Sequence, residues 1–315
     1  MKLFDGFLIN PDEYYTPSYR IGPFTTNDLA KNYDIYHDNK FDNGIAVKYI
    51  SENFGDKYQF TISGKAGIYL ALKSYNLKKT DVVTILTTSQ NYYISSCVTK
   101  VIEKICKWTR EIVAETKIIF VNHEFGTVYP EMVKLVETGI PIIEDCCTTF
   151  FSQNKDGKIG KYGDFTIYSF PKFFPIQFGG LLVINKKASV SRSAIDNKST
   201  KYIEKVLNWH LEKKDELLEK RSDIFSYALS QYLKLGFSYF FTPSPLQVPS
   251  VMMLKNNSII KDLPALKTHL WNHGIQSSVF YGEDAFFIPS HQNLTNNDIT
   301  FFFKVLETFI LNHKI

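Results

Sequence analysis

Residues 141–185 read PIIEDCCTTF FSQNKDGKIG KYGDFTIYSF PKFFPIQFGG LLVIN, and they decide the fold. Three apolar runs, 141–144, 165–170 and 181–184, are rich in Ile, Val, Phe and Tyr. They are too short for helices, so the pattern predicts buried strands. The first run delivers Asp145 to the C-terminal edge of its strand, and the second ends in Ser169 with Lys172 close behind. Ligands of open α/β sheets collect at that edge. A carboxylate and a lysine carried there by neighbouring strands form a site hypothesis as well as a fold.

Upstream, the segment YQFTISGKAGIYLALKSYNL from Tyr58 meets a Ser63-Gly64 turn and then a helical pattern with Ile68, Leu70, Ala71 and Leu72. A Ser-Gly turn feeding a helix start suits a phosphate, because free N–H groups and the helix dipole point at the anion. The P-loop pattern is not met, since its first Gly is missing and Ala66 follows Lys65. An ordinary Gly-containing helix start is the alternative for this turn taken alone. A strand at 82–86, a polar loop, and a helix opening at Tyr92-Tyr93 and running to about Lys104 come next. The sheet resumes at 117–121 after only ICKWTREIVAET, followed by His123 at a strand end and a helix over 129–138. Alternating strands and helices predict a mostly parallel sheet with right-handed crossovers and helices on both faces.

Either side of this core the chain changes character. Residues 1–55 are polar and Tyr-rich, with Pro11, Pro17 and Pro23, and predict an irregular N-terminal arm with one short helix. Residues 186–240 carry leucines at helical spacings among Lys and Glu, which predicts one or two amphipathic helices. Pro243, Pro245 and Pro249 mark a boundary. Residues 246–315 then read as strand, helix (about 262–273), strand, loop and final helix (about 296–312). The expected domains are an arm at 1–55, a large α/β domain at 56–240 and a small α+β domain at 241–315. His269 and His273 stand four apart, but no third ligand accompanies them, and a solvated helical face is the expected reading.

Composition narrows the function classes. With 315 residues, 44% hydrophobic and 22% charged, the chain can build a substantial core. A net charge of +4 without a basic block gives no sign of nucleic-acid binding. No apolar run is long enough to span a membrane, and the opening MKLFDGFLIN has no signal-peptide core. Cys97, Cys106, Cys146 and Cys147 show no C-x-x-C spacing, which fits a reducing cytoplasm. Three Asn-x-Ser/Thr matches, at Asn197, Asn256 and Asn293, are then chance matches.

The order Glu144-Asp145, Gly163-Asp164-Phe165, Ser169-Phe170, Lys172 and Gly179-Gly180 resembles the DegT/DnrJ/EryC1/StrS family. These are fold-type-I aminotransferases that use pyridoxal 5'-phosphate (PLP) on nucleotide-linked keto sugars. The resemblance implies a three-layer sheet domain with a small C-terminal domain. It implies Lys172 as the residue bonded to PLP, Asp145 opposite the pyridine nitrogen, and the Ser63, Gly64, Lys65, Ala66 turn plus Ser169 at the phosphate. Tyr92, with Tyr93 as substitute, is implied as the aromatic stacked on the ring, and Thr148 as a neighbour of the 3-hydroxyl. In VNHEFG, His123, Phe125 and Gly126 follow the family's V-H-x-Y-G, and His123 is a candidate for substrate contact or a structural histidine. The resemblance further implies glutamate as amino donor, surface-polysaccharide synthesis and a homodimer.

Departures accompany it. Lys65 replaces a Thr, the step from Ser169 to Lys172 is three positions where the family has five, and a strand and long loop are missing between 104 and 117. The Gly-Asn-Tyr-Arg-Met-like interface segment is not found. Measured from Gly179-Gly180, Lys172 nevertheless stands at the family lysine's position. A non-catalytic binding or assembly partner is therefore a second reading. A sugar dehydratase is a third, opposed by the retained lysine.

Overall fold

The computed structural model describes residues 17–155, 157, 159–186, 190–242 and 244–313. The opening residues read above for a signal peptide, and Pro11, lie outside the described residues. Two compact units divide the chain: one holds 26–213 with 244–249, the other holds the residues up to 25, 214–243 and 250 onward.

The first unit is built on a seven-stranded sheet. Its strands are β1 (Tyr58–Thr61), β2 (Val82–Thr87), β3 (Lys107–Thr109), β4 (Thr116–Asn122), β5 (Ile142–Asp145), β6 (Phe165–Ser169) and β7 (Gly180–Ile184), in the order β1-β7-β6-β5-β4-β2-β3. The run from β3 to β6 is parallel, and β7 and β1 add antiparallel. The strands anticipated at 82–86, 117–121, 141–144, 165–170 and 181–184 are all present within a residue or two. Their near-continuous apolar content follows from burial on both faces. On one face lie α3 (Gly64–Lys73) and α4 (Ser96–Glu103), packing Ile68, Leu72, Val98 and Ile102 onto Ile85, Phe120, Ile143 and Ile167. On the other, α5 (Met132–Glu137) packs Met132 and Leu135 onto Ile119, Val121 and Ile142. Successive residues of β4 thus serve opposite layers, as strand alternation requires.

Several expectations change here. The segment between 104 and 117 was read as lacking a strand, yet it contributes β3, a three-residue parallel edge strand beside β2. Too short for a hydrophobic pattern, β3 takes its conformation from backbone pairing. The region 26–55 is not an irregular arm but carries α1 (Asp28–His37) and α2 (Ile45–Asn53), docked on α6 (Asn197–Glu212). Buried Lys205 of α6 donates to the Tyr36 and Asp38 carbonyls at 2.9 and 3.0 Å and pairs with Asp42 at 3.2 Å. Asn208 accepts from Ala46 N and donates to Phe41 O, both at 2.6 Å. These polar anchors come from distant sequence, so hydrophobic periodicity could not announce them.

The second unit holds α7 (Lys214–Leu233), α8 (Leu263–Asn272), α9 (Asn296–Asn312) and an antiparallel sheet of β8 (Ser238–Tyr239), β9 (Met252–Lys255), β10 (Ser278–Val279) and β11 (Ala285–Ile288) in the order β10-β11-β9-β8. The reading grouped 214–240 with the large domain. In the structure Ile224, Ala228 and Tyr232 of α7 share a core with Leu254, Leu266, Phe286 and Phe302, so α7 belongs with the smaller sheet. Residues near Tyr19 join the same unit through a bridge to Ile275. The His269 and His273 rings lie 4.3 Å apart, tilted by 50°, and burial pushes His269 down to about 4. No helix among the described residues is long and apolar enough to cross a membrane.

Candidate active site at the sheet edge

Asp145 is the last residue of β5 and is buried. Its Oδ2 accepts from Asn122 Nδ2 at 2.8 Å and its Oδ1 from Cys147 N at 3.0 Å. Asn122 ends β4 and pairs in register with Asp145, so the parallel sheet delivers donor and carboxylate together. Sequence reading passed over Asn122, whose only signal was its place at the next strand's end. Two donated hydrogen bonds, one to each oxygen, fix its orientation.

The preceding residue points the other way. Glu144 is fully buried and accepts four hydrogen bonds: Tyr162 N at 2.8 Å, Gly163 N at 2.7 Å, Gly160 N at 3.0 Å and His123 Nε2 at 3.1 Å. His123 Nδ1 accepts from Tyr129 N at 3.0 Å, so the proton is on Nε2 and is donated to Glu144. Both ring nitrogens are committed and the side chain has no exposed surface. The substrate contact considered for His123 is therefore withdrawn in favour of the structural histidine. Cys146 Sγ lies within 4.8 Å of these two ligand atoms. Hydrogen bonds account for His123 and Glu144, and burial pushes the Cys146 thiol well up, which keeps it protonated.

Around Asp145 the structure gathers several of the anticipated residues. Ser63 caps α3, its hydroxyl accepting from Ala66 N at 3.4 Å. Among the described residues, the Gly64 and Lys65 amides have no intrachain acceptor, as expected of a helix's first turn. Gly64 is required by close approach. A Cβ there would stand 2.8 Å from Cys147 Sγ and 3.5 Å from Ser169 Cβ, which also places this turn beside both residues. Lys65 itself is exposed. Gly180 supports the same turn from below, where a Cβ would meet Gly64 N at 2.9 Å.

Lys172 closes a single 3₁₀ turn, Phe170–Lys172, directly after β6. Pro171 favours this start because its missing N–H would be unbonded there in any case. The turn shortens the path from Ser169 and leaves Lys172 half-buried, while Phe173 and Phe174 go into the core. Among the described residues, Lys172 Nζ has neither a hydrogen-bond nor an ion-pair partner. Its charge reaches Cys147, whose thiol burial pushes well up and Lys172 pulls down. Cys147 was not singled out in the sequence, yet it links the Gly64 turn, Asp145 and Lys172.

The remaining candidates fare differently. Thr148 donates to His123 O at 2.8 Å and accepts from Phe125 N at 2.9 Å, so its one donor is committed to the backbone. Tyr92 and Tyr93 do not open a helix; α4 begins at Ser96, capped by Ser95. Tyr92 is 72% exposed, whereas the ring of Tyr93 lies 6.3 Å from that of Phe125. Phe125 N is in turn tied to Thr148, so Tyr93, the substitute choice, packs against the turn after β4 while Tyr92 faces solvent. Gly126 adopts φ +102°, and a Cβ there would lie 2.4 Å from Val248 O.

Residues 97–198 match the family model of the DegT/DnrJ/EryC1/StrS aminotransferase family. The fold is similar to that of the aminotransferase TlmJ from Streptoalloteichus hindustanus, with TM-score 0.73 and 14% identity over 93% of this chain and 99% of that one. It is also similar to DesV from S. venezuelae in complex with a ketimine intermediate (TM-score 0.68, 13% identity, 95% and 100% covered). The sugar aminotransferase CalS13 from Micromonospora echinospora gives TM-score 0.65 at 16% identity, with 93% and 99% covered. At these identities the likeness shows the fold. No curated protein matches the chain by sequence.

Proposed function

We propose that this chain, whose residues 97–198 match the DegT/DnrJ/EryC1/StrS aminotransferase family model, is a PLP-dependent aminotransferase of that family acting on a nucleotide-linked keto sugar. The observation that carries the reading is the unpartnered, half-buried Lys172 amine sharing one sheet edge with Asp145 and a helix-start turn. Buried or half-buried lysines normally find an acceptor, so an amine left without one is available for chemistry. The residues present fit the cofactor. The Gly64 and Lys65 amides, with Ser63 and Ser169 beside them, suit its phosphate. Asp145 suits the protonated pyridine nitrogen, and the face of Tyr93 suits the ring.

Bound PLP would act as the sink for electrons released at the amino donor's α-carbon. Lys172 Nζ would hold the cofactor covalently and, once released, carry the α-proton. Asp145, oriented by Asn122 and the Cys147 amide, would hold the pyridine proton in place. Lys65 adds a positive charge at the phosphate turn where the family has a hydroxyl. Glutamate as donor, a nucleotide sugar as acceptor, a role in surface-polysaccharide synthesis and a cytoplasmic homodimer complete the proposal. A non-catalytic family member is the second reading, favoured by the contracted Ser169–Lys172 turn and the absent interface segment.

The deciding measurement is the visible spectrum of purified protein with added PLP, beside that of Lys172→Ala. The expected result is a band of lysine-bound cofactor that borohydride removes and the variant lacks. Added glutamate should then convert it to the pyridoxamine form. A wild type with no such band would overturn the enzyme and leave the binding role.

A further inference from the structure

The loop between β2 and α4, residues 88–95, is gripped from two sides by charged groups, one half-buried and one buried. From the sheet edge, Arg110, just past β3, donates through Nη2 to Thr87 Oγ1 at 3.1 Å and to the Asn91 carbonyl. From the turn after β4, Glu124, only 2% exposed, accepts the Ser89 amide on Oε2 at 2.7 Å. The two charges sense each other. Burial lowers the Arg110 pKa, and the Glu124 carboxylate pulls it back up. Arg110 Nε and Nη1 are buried without hydrogen-bond partners among the described residues, a cost that a neutral loop anchor would avoid.

Within the loop the restraint is passed along. Thr87 Oγ1 donates to Asn91 O at 3.1 Å, and Asn91 Oδ1 accepts the Tyr93 amide. Gln90 sits at φ +60°, a left-handed conformation that a non-glycine residue holds only when its surroundings impose it. The chain of contacts ends with Tyr93 against Phe125, whose amide is tied to Thr148, three residues after Asp145. Two opposite charges, half-buried Arg110 and buried Glu124, thus each hold a backbone group of one short loop, and Arg110 also holds the Thr87 hydroxyl at its start.

We infer that Arg110 and Glu124 are positioning residues, a charged clamp that fixes loop 88–95 so that the ring of Tyr93 stays against Phe125. This deepens the proposed cofactor reading, on which only its second readout rests.

The first readout needs no cofactor: amide hydrogen exchange of the free protein, comparing wild type, Arg110→Met, Arg110→Lys and Glu124→Gln. The clamp predicts that exchange across the 88–95 peptide rises roughly tenfold or more in Arg110→Met and Glu124→Gln, with the β4 and β5 peptides unchanged. Arg110→Lys, which keeps the charge but has fewer donors, should fall between; it also decides the matter if Arg110→Met does not fold. Unchanged exchange in the loop, or equal loosening of β4 and β5, would overturn the clamp. The second readout is PLP affinity by spectroscopic titration, expected to weaken roughly tenfold in Arg110→Met with partial recovery in Arg110→Lys. A wild type that binds no PLP would sink the aminotransferase reading, and loop exchange would still judge the clamp.

Discussion

Glu144 and Asp145 are neighbours in β5, both buried carboxylates, and strand alternation turns them to opposite faces of the sheet. On the Glu144 face every oxygen is matched: three loop amides and the His123 imidazole surround it. On the Asp145 face two donors hold the carboxylate, and nearby stand an unpartnered lysine and two unbonded helix-start amides. Burial is common to both. The difference is unspent hydrogen-bonding capacity, which marks where a ligand has something to gain. A closed network stabilises the fold, and an open one leaves partners for chemistry.

The sharpest way to break this contrast is Glu144→Gln. Its amide group would face a loop N–H with another donor, so chemical denaturation should show a loss of about 3 kcal/mol. A loss no larger than that for Asp145→Asn would abolish the distinction between the faces. Acid tests the closed interior elsewhere in the same unit. Burial pushes His210 down to about 3, below its ordinary value of 6.5. Between those values the unfolded chain takes up a proton that the folded chain refuses, so stability falls as pH drops through that window. The slope reaches up to about 1.4 kcal/mol per pH unit for one histidine. Melting temperatures of wild type and His210→Phe should therefore diverge on going from pH 7 to 4.5, with the variant losing less.

On the open face the effects on stability shrink while those on binding grow. Asp145→Asn should cost below about 1.5 kcal/mol in denaturation, since one of its two donors keeps the remaining oxygen and the other, the Asn122 amide, can turn to present its own oxygen to the new NH2, whereas PLP titration should show weaker binding. Lys172→Ala should change stability by no more than about 0.5 kcal/mol, because nothing among the described residues bonds its amine. The same variant should lose the band of lysine-bound cofactor completely. A large stability loss in Lys172→Ala would show that the amine has a structural partner and would remove the contrast at its centre.

Legibility in the sequence followed length and pattern. Strands of four or more apolar residues were visible because burial on both faces demands unbroken hydrophobicity, and the final helix expected at about 296–312 is present as Asn296–Asn312. The three-residue β3 was not, nor were α1 and α2, whose anchors Lys205 and Asn208 lie some 160 residues downstream. At the candidate site, Asp145, Lys172 and the Ser63–Ala66 turn were legible as residue types at strand and helix ends. Asn122 and Cys147 were not, since an Asn after a strand and one of two adjacent cysteines carry no pattern of their own.

Taken by itself, the sequence determined the order of the longer strands and the helices between them, the strand edge where Asp145 and Lys172 emerge, and the family to which that order is similar. These follow from local periodicity and from which residues stand at element ends, and both are written along the chain. Only the tertiary structure decided that His123 is committed to Glu144, that Tyr93 rather than Tyr92 faces Phe125, that α7 belongs with the smaller sheet, and that Lys172 stands without a partner among the described residues. Each depends on which distant groups are left to satisfy a buried donor, acceptor or apolar face. That balance exists only once the chain has folded and water has been removed.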